Sequence, residues 1–192
     1  MKPTLLLAAA LVAPLAGCSF GGKTPPQLLT VAPAQTRATG QPRTAAQGNV
    51  ITVISPTVPR TLGNTRVAVY VDPTTVQYLK DAAWADQPRE LFRQLLSETL
   101  AARSNWVVVD PSVYTQIQGV VLGGQLLQFG YDPARSEAVV LFEANLTRPQ
   151  QAVTTNRFEA RVPAAAPDAV SVAAALNQAA NQVAGQVADW AG

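Results

Sequence analysis

The chain has 192 residues, nearly half apolar and only 14% charged, which is enough for one domain with its own core and too apolar for disorder despite fifteen prolines. Fourteen basic residues against twelve acidic ones leave no concentrated positive field for a phosphate backbone, so nucleic acid is not an expected partner. The absence of histidine and the presence of one cysteine exclude Ser-His-Asp and Cys-His catalysis, histidine or multi-cysteine zinc sites, and intramolecular disulfides.

Met1-Lys2 gives a positive start to an apolar run from Leu5 to Leu15, shorter than the about 20 residues that span a bilayer, which reads as an export signal. The run ends in Leu15-Ala16-Gly17-Cys18, which resembles the lipobox of bacterial lipoproteins. There the small Ala16 and Gly17 would admit the signal peptidase, and the Cys18 thiol would take diacylglycerol. The expected division is a signal peptide over 1–17, a flexible tether over 18–27 and one domain over 28–192. Acyl chains such as palmitate on the thiol and the new amino group would anchor the protein firmly, at about 0.8 kcal/mol per buried methylene. Ser19 stands where many enterobacterial lipoproteins carry an inner-membrane retention aspartate, which favours the periplasmic side of the outer membrane.

Gln27 to Val31 reads as a short strand, and Ala32 to Gly48, rich in Pro, Thr, Gln and Ala, as a long loop or a partly disordered segment. Asn49 to Ile54 and Arg66 to Val71 are Val- and Ile-rich strands bounded by prolines, Gly63 and Asn64. A helix follows, with Asp86 placed to cap it, Pro88 in its first turn, and Leu91, Phe92, Leu95, Leu96 and Leu100 on one face. Trp106 to Asp110 is a compact strand, and Val113 to Gln118 a short helix or an irregular link. Gly119 to Gly130, Glu137 to Leu146 and Thr154 to Val162 form an antiparallel meander. In its last strand Phe158, Ala160 and Val162 alternate with Arg157, Glu159 and Arg161, one set inward and the other in water. Asp168 to Trp190 is an alanine-rich helix with an apolar stripe of Val172, Leu176, Val183, Val187 and Trp190 and a wet side of Asn177, Gln178, Asn181, Gln182 and Gln186. The expected fold is α+β, a mostly antiparallel sheet with two long helices packed on one face.

The run Tyr78-Leu79-Lys80-Asp81-Ala82-Ala83-Trp84-Ala85-Asp86, followed by the leucine-striped helix, resembles the ABC-type transport auxiliary lipoproteins. Thr65-Arg66-Val67-Ala68-Val69 before it and Leu126-Leu127-Gln128-Phe129 after it agree in order, and the likeness runs from about Leu28 to the last helix. The long Ala32 to Gly48 loop departs from that pattern. The resemblance implies a non-enzymatic accessory without cofactor or metal. Its expected partners are an inner-membrane ABC transporter and a substrate-binding protein of the mammalian-cell-entry (MCE) type, in a lipid transport system.

Cys18 is therefore the expected lipid-attachment residue, with Leu15, Ala16 and Gly17 as the peptidase motif, and Trp84 and Tyr78 are core anchors or partner contacts. No catalytic residue is expected: Glu90 with Glu98 and Glu137 with Glu143 are spaced along a helix and a strand in ways that make no facing pair. Two further readings are a lipoprotein activator or assembly factor, serving a cell-wall synthase or outer-membrane protein, and a carboxylate-based envelope hydrolase. Self-association as a dimer or ring is compatible with exposed strand edges and a weakly charged last helix.

Overall fold

A computed structural model describes residues 28–40, 42–112 and 119–192. The leader, the tether and the Val113 to Gln118 link lie outside the described residues. In chain order the elements are β1 (Leu28–Leu29), β2 (Val50–Val53), β3 (Arg66–Asp72), β4 (Thr75–Trp84), α1 (Pro88–Arg103), β5 (Val107–Val109), β6 (Val120–Asp132), β7 (Glu137–Thr147), β8 (Thr154–Pro163) and α2 (Ala169–Ala191). Short 3-10 turns occupy Gln47–Asn49 and Arg60–Leu62.

All of the strands share one sheet, and β6 is its spine. One edge of β6 pairs antiparallel with β7 from Val121↔Thr147 to Asp132↔Glu137. Its other edge is divided: β2 runs parallel to the start, at Ile51↔Val120 to Val53↔Leu122, and β3 parallel to the end, at Ala68↔Gly130 and Val69↔Tyr131. The long ladders, β3 with β4, β6 with β7 and β7 with β8, are antiparallel, whereas the parallel pairings are short. The fold is thus the α+β arrangement that the sequence predicts.

Such crowding on β6 requires residues without a Cβ. At Gly124, φ is +146°, and a Cβ would lie 2.0 Å from the Glu143 carbonyl oxygen. At Gly130 a Cβ would come within 2.4 Å of the Ala68 carbonyl oxygen and 2.9 Å of the Tyr70 ring. Tyr70 covers this glycine and accepts a hydrogen bond from the Phe129 amide at 3.0 Å. Burial removes water from its phenol and pushes the pKa up to about 12, the amide bond pulling the other way.

Both helices lie on one face of the sheet, α2 against β7 and β8 and α1 against α2, with α1 also touching β2 and β5. Leu91, Phe92, Leu95, Leu96 and Leu100 of α1 and Val172, Leu176, Val183 and Val187 of α2 are buried, as the helical spacing predicts. Phe92 stacks edge-on against Phe142 at 5.1 Å and Phe129 at 6.5 Å, joining α1 to β7 and β6. The helix ends differ from expectation. Asp168 caps α2, a role the sequence reading does not assign to it, accepting from the Ser171 amide at 2.9 Å, and the Ser171 amide and hydroxyl hold its carboxyl below the usual range. The cap position of α1 is Gln87, without a side-chain bond, because Pro88 already fills the first turn. Asp86 instead accepts from the Gln87 amide at 2.6 Å, one residue before the helix.

The loop from Ala32 to Gly48 is pinned, and the pins come from the polar side of α2. Asn177 and Asn181 accept from the amides of Ala32 and Ala34 at 2.8 and 2.7 Å, and Asn181 donates back to the Ala32 carbonyl. Farther on, Arg43 donates to the carbonyls of Ser104 and Trp106 beyond the end of α1. Side-chain amides and the Arg43 guanidinium hold this segment where it makes no sheet ladder, and it crosses both helices as a strap.

Gly130→Ala should lower stability by about 1–3 kcal/mol in urea denaturation, since neither Ala68 nor Tyr70 can retreat without opening the β3–β6 pairing. Gly48→Ala, with nothing within 4 Å of the added carbon, should stay within about 0.5 kcal/mol of the parent. Tyr70 adds an alkaline signature. Its folded pKa is raised above the ordinary value of 10.0, so its contribution is complete below pH 10 and should be lost progressively between pH 10 and about 12. In Tyr70→Phe, the slope of unfolding free energy against pH over that window should be shallower.

Candidate functional site

The segment Tyr78 to Asp86 forms the end of β4 and the step into α1. Between the pairs Arg66↔Ala83 and Ala68↔Tyr78, two steps along β3 match five along β4, so the chain bulges outward around Leu79 to Ala82. Asp81 takes φ +54°, a left-handed conformation that Asp adopts more readily than most side chains. Tyr78 ties the bulge to the neighbouring turn. Its hydroxyl donates to the Thr61 carbonyl at 3.2 Å and accepts from the Asn64 side chain at 3.1 Å, while the Arg66 guanidinium lies 4.0 Å above its ring. A hollow of about 460 Å³ lies beside the bulge, lined by Val69, Leu79, Lys80, Pro167 and Ala169 among others.

Trp84 is only 1% exposed, and its ring centroid lies 5.2 Å from that of Phe129. Its backbone amide donates to Thr65 at 2.7 Å, while Leu29 of β1 pairs alongside. The side chain extends the aromatic row of Phe129, Phe92 and Phe142 toward the point where the chain enters the domain. Its indole N–H is buried and meets no hydrogen-bond partner among the described residues, so the residue contributes area and shape rather than polarity. Thus both singled-out aromatics face into this chain: Trp84 fills the core, and Tyr78, half-buried, latches a turn.

A wider concavity lies elsewhere, between the strap and α1. It is a cleft of about 950 Å³, with Thr36 to Gly40 on one wall and Arg93, Glu98, Val108 and Asp110 on the other. Arg93 is mostly buried and bridges Glu90 at 3.1 Å and Asp110 at 3.2 Å; Ser55 donates to the same Glu90 at 2.7 Å. Bonds from the Ser112 hydroxyl and amide, and then the Arg93 charge, hold the Asp110 carboxyl below its usual range. These groups are engaged with one another, which suits a rigid wall. The carboxylates that the sequence sets in pairs are separated in the same way: Glu143 is held by Arg157 at 2.6 Å, and Glu137 lies 3.9 Å from Arg161. Among the described residues there is no group of three or more His, Cys, Asp or Glu placed to hold a metal, and no helix long and apolar enough to cross a membrane.

Cys18 and the Leu15, Ala16 and Gly17 before it lie outside the described residues. What the sequence does not announce is the fixing role of Asn177, Asn181, Arg43 and Arg93. The only visible signal is two asparagines four apart on a helix, whose shared face could have been read as a clamp.

This architecture, a helix-backed sheet with a strapped amino-terminal segment and carboxylates committed to ion pairs, defines a packed α+β domain. The chain belongs to the ABC-type transport auxiliary lipoprotein component family, whose model matches residues 27–188. Among solved structures, it is similar to a DUF330 protein from Xanthomonas campestris, with a TM-score of 0.72 at 20% identity over 85% of this chain and 93% of that one. A second, uncharacterised protein matches with a TM-score of 0.65 at 16% identity, over 85% of this chain and 99% of that one. A PelC dodecamer from Paraburkholderia phytofirmans is more distant, at a TM-score of 0.42 and 18% identity over 79% and 95% of the respective chains. At these identities the likeness is one of fold. No curated protein matches the chain.

Trp84 yields a two-part test. Trp84→Ala should cost about 3–5 kcal/mol in chemical denaturation, as for a large buried aromatic, whereas Trp84→Phe should cost clearly less because the lost N–H had no partner.

Proposed function

We propose that this chain is a lipid-anchored, non-catalytic auxiliary component of an ABC transport system that moves lipid across the cell envelope with an MCE substrate-binding protein. In this reading residues 1–17 are removed as a signal peptide, Cys18 carries the acyl chains, 18–27 form the tether, and the domain over 28–192 recognises the partner. The periplasmic face of the outer membrane is the proposed location, on the strength of Ser19.

The observation that carries the reading is the family match over 27–188, directly behind a leader that ends in Leu15-Ala16-Gly17-Cys18. A non-catalytic role is supported by chemistry that the chain lacks and by chemistry already committed. It has no imidazole, and Glu90, Glu137, Glu143 and Asp110 each face an arginine. Lipid is the transported substrate in this proposal, and the large cleft beside the strap is lined by charged and polar groups as well as apolar ones, so recognition of protein is the role assigned to the domain.

Crosslinked pull-down of the membrane-anchored protein, with mass spectrometry of its amino terminus, tests both halves. The mature chain should begin at an acylated Cys18, and an MCE protein, a permease and an ATPase should be recovered together. Cys18→Ser should release the chain from the membrane fraction. Recovery of a cell-wall synthase or an outer-membrane assembly protein in their place would support the activator reading instead, and a mature chain that starts elsewhere with its sulfur free would remove the anchor from the account.

A further inference from the structure

The sheet has two long free edges, β4 and β8, and they are finished differently. The β4 edge carries Lys80, a bulge with Asp81 at φ +54°, and β1 laid against its last two residues. Each of these discourages a further strand. β8 has none of them. Its ladder with β7 runs from Thr154 to Pro163 without a register shift, it contains no lysine, and its proline stands at the last position. No other strand, loop or helix among the described residues pairs with its outer edge.

The side chains along β8 are complementary to a second copy of themselves. In an antiparallel pairing centred on Phe158, Arg157 of each copy, which also bonds Glu143 of its own chain, stands opposite Glu159 of the other, which also bonds its own Arg161, twice by symmetry and on the solvent face. Asn156 meets Ala160, Thr155 meets Arg161 and Thr154 meets Val162. On the helix side the axis brings Phe158, already edge-on to Trp190 at 5.6 Å, against its own symmetry mate. Centring the pairing on Glu159 would oppose Arg157 to Arg161 and Glu159 to itself, and centring it on Ala160 would leave only Arg157 to Pro163 overlapped. We infer that a second copy of this chain adds at β8, making a two-fold dimer with a sheet continuous across the axis at Phe158.

Full-length Cys18→Ser protein provides the test without the anchor. Light scattering after size exclusion should show a dimer that dissociates on dilution. Arg157→Glu should weaken it at least about tenfold, since two attractive pairs become repulsive. Arg157→Glu combined with Glu159→Arg should restore it, even though the internal Arg157–Glu143 bond is not regained. In the same background, Thr155→Cys with Arg161→Cys should yield a disulfide-linked dimer on mild oxidation, and Thr155→Cys alone should not. Circular dichroism on every variant separates unfolding from loss of pairing. A chain that stays monomeric at every concentration reached, an association indifferent to the charge reversal, or equally efficient linkage through Thr155→Cys alone would overturn the inference.

Discussion

The close approach of three strands to β6 is the constraint on which the structure depends. β7 takes one whole edge, and β2 and β3 share the other, one at each end. That division is possible only because Gly124 and Gly130 let backbone oxygens come where a side chain would collide. Because β3 is held at the end of β6, the β3–β4 hairpin is fixed, and because β4 is fixed, Trp84 is delivered to Phe129. The aromatic row then ties α1 to the sheet through Phe92.

Electrostatics are arranged around this core without entering it. Arg93, Arg157 and Arg161 each draw carboxylates to themselves at half-buried or exposed positions, where an ion pair contributes little to stability but fixes the orientation of side chains. Glu90, Asp110, Asp132, Glu137, Glu143 and Glu159 are thereby drawn to arginines, whereas Asp168 serves as a helix cap.

Much of this was legible in the sequence where the signal is local. The leucine stripe of α1, the alanine-rich α2 and the β6–β8 meander all follow from repeats of 3.6 or 2 residues. The family, too, was legible, from the order of short motifs around Trp84. The parallel pairings of β2 and β3 with β6 were not, since they join residues some sixty or more apart and leave no periodic mark. Neither was the Leu79–Ala82 bulge, whose extra residues look from the sequence like the continuation of a strand. The strap reads as a loop or a partly disordered segment because it has no pattern of its own: its order is supplied by Asn177 and Asn181, which lie far away in the chain, and by its own Arg43, whose partners are the distant carbonyls of Ser104 and Trp106.

That strap has a mechanical corollary. A force drawn through Leu28 first meets two residues of parallel pairing, then the asparagine clamps, and farther on the Arg43 guanidinium, before it reaches β2 within the sheet. These fastenings are loaded in series, like stitches in a seam, and each is weaker than the ladders behind it. Tension would therefore loosen the strap from the amino-terminal side one stitch at a time while the helices stayed packed on the sheet.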